Sequence, residues 1–220
     1  MMRRGGARLH PANDSELEKN SEKMTYAILG SGAIGTALAR RFVAKGVEVS
    51  LANTKGPESL TDLVSELGSL VKPVTSAQAL LADVVILAIP FDAVSEAVKG
   101  VGWGGRIVVD ATNAIDFPAF TPRDLKGRLS TQIVADAVSG ARVVKAFNTL
   151  FAALLGAEPA VPGGRRVLFI SGDDASARTV VVELVDRLGF AAVDLGGIAE
   201  GGRAQQFGGG VSSKEFVQIG

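Results

Sequence analysis

From residue 24 onward, short unbroken hydrophobic runs alternate with stretches whose apolar residues recur every three to four positions. The runs read as buried strands and the spaced stretches as helices with one apolar face. Thr25 to Leu29 is the first strand. Ala33 to Lys45 follows as a helix: Ile34, Leu38 and Phe42 fall four apart, Ala37 fills the face, and Gly46 stands at the C-terminal cap. The same alternation predicts strands at Val47 to Ala52, Val71 to Val74, Val84 to Ile89, Arg106 to Ala111, Arg142 to Phe147, Arg166 to Ser171 and Ala191 to Leu195. Helices are predicted at Pro57 to Leu67, Ser76 to Ala82, Asp92 to Lys99, Ser130 to Val138, Leu150 to Leu155 and Ala175 to Leu188. The stretch from Thr112 to Gly127 reads as a loop containing proline, and Gly196 to Gly210 is glycine-rich with no period. Continuously apolar strands separated by helices imply a parallel sheet covered on both faces.

Composition narrows the chemistry by exclusion. Lys plus Arg and Asp plus Glu are equal at 23 each, so no basic field exists to hold nucleic acid or acidic lipid. The absence of cysteine removes disulfides, thiol nucleophiles and thiolate metal sites. The one histidine is His10, in a polar stretch over residues 1–23 that reads as a disordered leader or the product of a misassigned start codon, Met24 suiting a natural start. A Ser-His-Asp triad and a histidine metal site are therefore not expected. Arg3-Arg4 is followed by no hydrophobic region, which argues against export. No run approaches the roughly 18 apolar residues of a membrane span, so the expected location is the cytoplasm.

The first turn carries the strongest chemical signal. Gly30, Ser31, Gly32, Ala33, Ile34 and Gly35 spell G-x-G-x-x-G between a buried strand and a helix. Gly30 permits the tight turn, Gly32 lets backbone approach a pyrophosphate, and Gly35 lets the helix pack close on the strand. Backbone N–H groups at the helix start would hold the anion. The fold class is thus α/β: a Rossmann-type doubly wound parallel sheet over residues 24–149, with a small C-terminal α/β extension over 150–220.

The end of the second strand chooses between dinucleotides. An acidic residue there would bond the ribose 2′-hydroxyl of NAD. This chain has Asn53, Thr54 and Lys55, with Ser59 one turn on, and no acid at that edge. Hydroxyl donors and a positive charge suit a 2′-phosphate, so NADP(H) is expected. Other strand ends line the same crevice: Ala88, Ile89 and Pro90 on the nicotinamide side, Asn113, and Asn148, which either fixes an amide or caps its loop. Asp110 reads as a structural carboxylate and Lys145 as an outward-facing strand residue. No residue is assigned as catalytic. Ketone reduction ordinarily uses a proton donor beside the hydride, and no histidine, Tyr-Lys pair or thiol stands where one is needed. Hydride passage between two bound rings needs none.

Several segments together resemble the NADPH-dependent deazaflavin (factor 420) reductase family. They are Ala27 to Gly35, Ala52 to Leu60, Ala88 to Phe91, Val144 to Thr149 and Asp194 to Gly197. The resemblance covers essentially Met24 to Gly220. It implies an NADP-binding domain, direct hydride transfer between a deazaflavin co-substrate and nicotinamide, and a homodimer. It also suggests a second-cofactor side within Gly196 to Gly210, with Ile198, Gln205, Gln206 and Phe207 as candidates. Where family members often carry Ser-Arg at the second strand's end, this chain has Thr54 and Lys55, keeping the charge without arginine's flat fork. The expected partner is a small-molecule redox acceptor. A non-catalytic NADP(H) sensor, and an enzyme like the ferric or imine reductases, are the alternatives.

Overall fold

In the computed structural model, which describes residues 24–220, a mostly parallel sheet sets the position of every other element. The leader and His10 lie outside the described residues. Six strands run parallel: β1 (Tyr26–Leu29), β2 (Val49–Ala52), β3 (Val71–Pro73), β4 (Val84–Leu87), β5 (Ile107–Asp110) and, after the short hairpin of β6 (Ile115–Asp116) and β7 (Thr121–Pro122), β8 (Arg142–Lys145). Their spatial order is β3-β2-β1-β4-β5-β8. The order reverses between β1 and β4, where such sheets open a crevice beyond their C-terminal ends. That edge is stitched by backbone: the Gly30 N–H donates to Ala52 O at 2.8 Å, and the Ala88 N–H to Leu29 O at 2.9 Å.

Both faces of the sheet are buried, which explains the unbroken apolar runs. Ile28, Val84 and Ile86 point to one layer with Leu38 and Phe42. Ala27, Leu29, Val85 and Leu87 point to the other with Val94, Trp103 and Val134. The first layer holds α1 (Ala33–Ala44); the short α2 (Thr61–Leu67), α3 (Ser76–Ala79) and α4 (Val94–Ala97) follow their strands, then α5 (Ser130–Ala137). Two predicted helices are partly replaced by 3-10 turns, Pro57–Leu60 and Phe91–Ala93. Pro57 stands at the first position of one and Pro90 caps the other, and proline at a helix start permits either geometry.

The C-terminal extension departs from the all-parallel expectation. After β8 the chain makes only a five-residue helix, α6 (Ala152–Gly156), then turns back through β9 (Ala160–Val161) into β10 (Gly164–Gly172). Two residues beyond α6, Glu158 already meets Arg41 and Lys45 at the C-terminal end of α1, and the strand that follows runs against its neighbour: β10 is antiparallel to β8, pairing Ser171 with Lys145 and Gly172 with Val144. The helix α7 (Ala175–Arg187) then returns the chain to β11 (Ala191–Asp194), parallel to β10. The stretch without a sequence period holds a five-residue π-helical turn, Ile198–Gly202, and α8 (Arg203–Gln205); β12 (Val217–Ile219), absent from the expected elements, closes on β10. This segment is packed: Gly201 lies so close to Ser171 and Leu195 that a Cβ there would come within 2.6 Å of the Ser171 side chain.

Candidate functional site

The glycine turn is built by three separate constraints. Gly30 has φ +115°, and a Cβ there would sit 2.2 Å from the Ala88 carbonyl oxygen and 3.0 Å from Ile89 Cγ2. At Gly35 a Cβ would sit 1.8 Å from the carbonyl oxygen of Gly30, so the first turn of α1 lies directly on the strand end. Gly32 differs from both: nothing lies within 4 Å of the Cβ it lacks, and the residue is exposed. It caps α1 without any side-chain hydrogen bond, and no acidic residue stands in the first turn. The start of this twelve-residue helix therefore offers N–H groups and a positive dipole end to an incoming anion. Ser31 and Ala33 flank it, and Ile34 is half-buried.

Asn53 joins this turn to the end of β2. Its Nδ2 donates to Ser31 Oγ and to Ser59 Oγ, each at 3.0 Å, while its Oδ1 accepts the Lys55 N–H at 2.8 Å. Thr54, Lys55 and Ser59 are exposed around it. Among the described residues, no carboxylate pairs with Lys55. Asn53 is thus the organiser of the corner, and Thr54 and Lys55 are the groups left facing outward.

At the middle of the edge, Ala88 and Ile89 are half-buried and Pro90 is exposed. Asn113 and Asn148 meet: Asn148 Nδ2 donates to Asn113 Oδ1 at 3.0 Å and to the Gln205 carbonyl at 2.8 Å, and Asn113 Nδ2 donates to the Asn148 carbonyl at 2.9 Å. Asn148 is 4% exposed and its Oδ1 has no hydrogen-bond partner. The residue before it, Phe147, is fully buried at φ +64°, a strained conformation for a bulky side chain. That left-handed residue lies between the end of β8 and Asn148 and turns the chain off the strand.

Lys145 corrects the expectation of an outward-facing residue. It is fully buried, and its Nζ donates to Asp110 Oδ2 at 2.9 Å and to the Thr112 carbonyl at 3.1 Å. Asp110 also accepts from Thr131 Oγ1 at 2.8 Å and from Thr112 Oγ1 at 2.7 Å. Burial pushes the Asp110 carboxyl up, but the Lys145 ammonium and these hydrogen bonds outweigh it and hold it below its ordinary value. Asp110 keeps its structural reading, with a partner that alternation within β8 hid.

The second-cofactor candidates divide. Ile198 is buried, and Gln205 is wholly enclosed: its Oε1 accepts from Ser171 Oγ, and its Nε2 donates to the carbonyls of Phe169 and Lys145. Gln205 holds the extension onto the sheet and is unavailable to a ligand. Gln206 and Phe207 instead line a pocket beside Ala114 and Ser130. Sequence reasoning passed over the arginines of that pocket: Arg123 sits in a stretch read only as loop, Arg128 just beyond it, and Arg203 in the glycine-rich stretch without a period. Among the described residues, no three His, Cys, Asp or Glu side chains converge as a metal site, and no helix is long and apolar enough to cross a membrane.

The chain is similar to several known proteins. The family model described as NADP oxidoreductase, coenzyme F420-dependent matches residues 25–114. A hypothetical protein from Sinorhizobium meliloti, known from its crystal structure, is 52% identical and superposes with a TM-score of 0.87 over 92% of this chain and 99% of its own. A candidate F420-dependent NADP reductase from Arthrobacter is 28% identical, with a TM-score of 0.70 over 80% of this chain and 86% of its own. The rat metalloreductase STEAP3 is 28% identical over 87% of this chain, which spans only 38% of that relative.

Proposed function

We propose that the chain, whose residues 25–114 match the family model described as NADP oxidoreductase, coenzyme F420-dependent, is an enzyme that binds NADP(H) along this crevice and exchanges hydride with a deazaflavin or flavin-like acceptor. The observation that carries the reading is the uncapped, unobstructed start of α1 at Gly32, framed by two glycines that backbone contacts make obligatory. Residues Gly30 to Gly35 would hold the pyrophosphate through backbone N–H groups. Thr54 and Lys55 would meet the 2′-phosphate, with Asn53 and Ser59 fixing the corner. The half-buried Ala88 and Ile89, with Pro90, give an apolar wall that keeps water from one side of the nicotinamide position. Asn113 and Asn148, whose amides bond each other, would border the carboxamide position.

When bound, the dinucleotide supplies or takes up the hydride. The protein's part is orientation and exclusion of water, which can supply several orders of magnitude in rate by itself. Asp110 and Lys145 neutralise each other out of contact with solvent and are not placed to trade protons. Any proton the acceptor takes up comes from water.

The test is an acceptor screen. NADPH oxidation is followed at 340 nm with deazaflavin, flavins and a ferric chelate, the last because one relative is a metalloreductase. Turnover with the deazaflavin or a flavin is the expected result. NADPH binding with no acceptor reduced would make the protein a sensor of the dinucleotide. Replacing Lys55 by Glu removes a charge-assisted contact of about 1.5–3 kcal/mol. The Michaelis constant for NADPH should rise about 10- to 100-fold while that for NADH changes little. Equal changes for both would remove Lys55 from the 2′-phosphate site.

A further inference from the structure

Next to the crevice, a pocket of about 220 Å³ opens between the 114–130 segment and the turn after α8. Three guanidinium groups, from Arg123, Arg128 and Arg203, line it. Arg123 is held by Asp92 and Asp116, and Arg128 by Asp136. The carboxylate at the rim, Asp124, is taken by Lys126. Arg203 is exposed and has no ion pair among the described residues. The pocket floor carries Ser130, 1% exposed, whose Oγ has no hydrogen-bond partner. Ser130 opens α5, and its backbone N–H reaches only Gln206 Oε1, at 3.3 Å.

Resting on the acceptor reading above, we propose that this pocket binds a phosphate ester on the acceptor's side chain. One group with several acceptor oxygens satisfies every unspent donor here: the Arg203 fork, the Ser130 hydroxyl and the N-terminal amide that Gln206 holds loosely. A neutral ligand would leave the hydroxyl and the unpaired cation unmatched. The pocket is also in the right place. Ala114 follows Asn113, and Gln206 follows Gln205, whose carbonyl receives the Asn148 amide. A chain leading from a ring at the Asn113–Asn148 pair enters it directly.

Riboflavin and flavin mononucleotide differ by one phosphate and make the test. The full chain is saturated with NADP⁺, which fills the glycine turn, and flavin binding is read from fluorescence quenching. The mononucleotide should bind at least tenfold more tightly than riboflavin. Arg203→Gln should abolish most of that advantage and leave riboflavin within twofold. Ser130→Ala should reduce it about threefold, and millimolar inorganic phosphate should compete with the mononucleotide alone. Equal affinity for the two flavins, no binding of the mononucleotide, or an advantage that survives Arg203→Gln overturns the proposal. Hydride transfer is scored separately. Arg203-dependent binding without NADPH oxidation keeps the pocket and removes the redox reading; oxidation without phosphate preference does the reverse.

Discussion

Glycines that look alike in a motif do different work, and substitution separates them. A methyl at Gly35 meets the Gly30 carbonyl oxygen at 1.8 Å, so α1 must move off the strand. Overpacking of this kind costs about 1–3 kcal/mol or more, and Gly35→Ala should lower both the melting temperature and NADPH affinity. A methyl at Gly32 meets nothing, so Gly32→Ala should leave the melting temperature unchanged or slightly raised while NADPH affinity falls about tenfold, since it stands where a phosphate must approach. Thermal melts with and without NADPH check both. Loss of stability in Gly32→Ala would show that its space is not open. The three glycine roles were readable from spacing alone, because each is a backbone constraint that only glycine meets. The role of Asn53 as a hub was not, since its partners Ser31 and Ser59 lie 22 and 6 positions away and no periodicity joins them.

Between elements, β5, β8 and α5 are fastened by the buried set Asp110, Lys145, Thr112 and Thr131. Removing one member of a buried pair costs about 3–5 kcal/mol because the other charge stays behind. Lys145→Met should be destabilising by that order, and the double change to Met and Asn should cost less than the sum of the singles. The pH dependence follows from the sign of the Asp110 shift. Its carboxyl is held below the ordinary value of 3.8 in the folded state, so the unfolded chain takes up the proton first on acidification. The Asp110 contribution is whole above that value and is lost as pH falls through the lower folded one. Urea denaturation should therefore show a constant gap between wild type and Asp110→Asn from pH 7 to 5 that closes below about pH 3.8. A gap that widens on acidification would reverse the assignment. Lys145 hid from sequence reasoning because β8 is buried on both faces, so alternation carries no outward side for it to occupy. The reversed β10 was equally illegible, since an apolar run looks the same read either way.

At the scale of the whole molecule, the extension shares a core with the dinucleotide-binding sheet. Leu168, Ile170, Val181 and Val185 belong to the same buried cluster as Ile28, Leu38 and Phe42. Arg41, 3% exposed on α1, donates to the Leu188 carbonyl at 3.2 Å, and Gly156 of α6 packs against Ala37. Elements that bury one another's apolar surface unfold together, because neither keeps its stability when the other leaves. The single tryptophan, Trp103, is 2% exposed in the opposite layer and reports the sheet. Amide exchange of residues 168–170 in β10 reports the extension. In urea the two should share one midpoint, and NADPH at 100 times its dissociation constant should raise the stability of both by about 2.7 kcal/mol, although the glycine turn belongs to the sheet alone. An early release of the β10 amides, or a gain confined to Trp103, would mean that the extension is a separate unit. The acceptor pocket would then have one wall, at Arg203, Gln206 and Phe207, that moves independently of the crevice it serves.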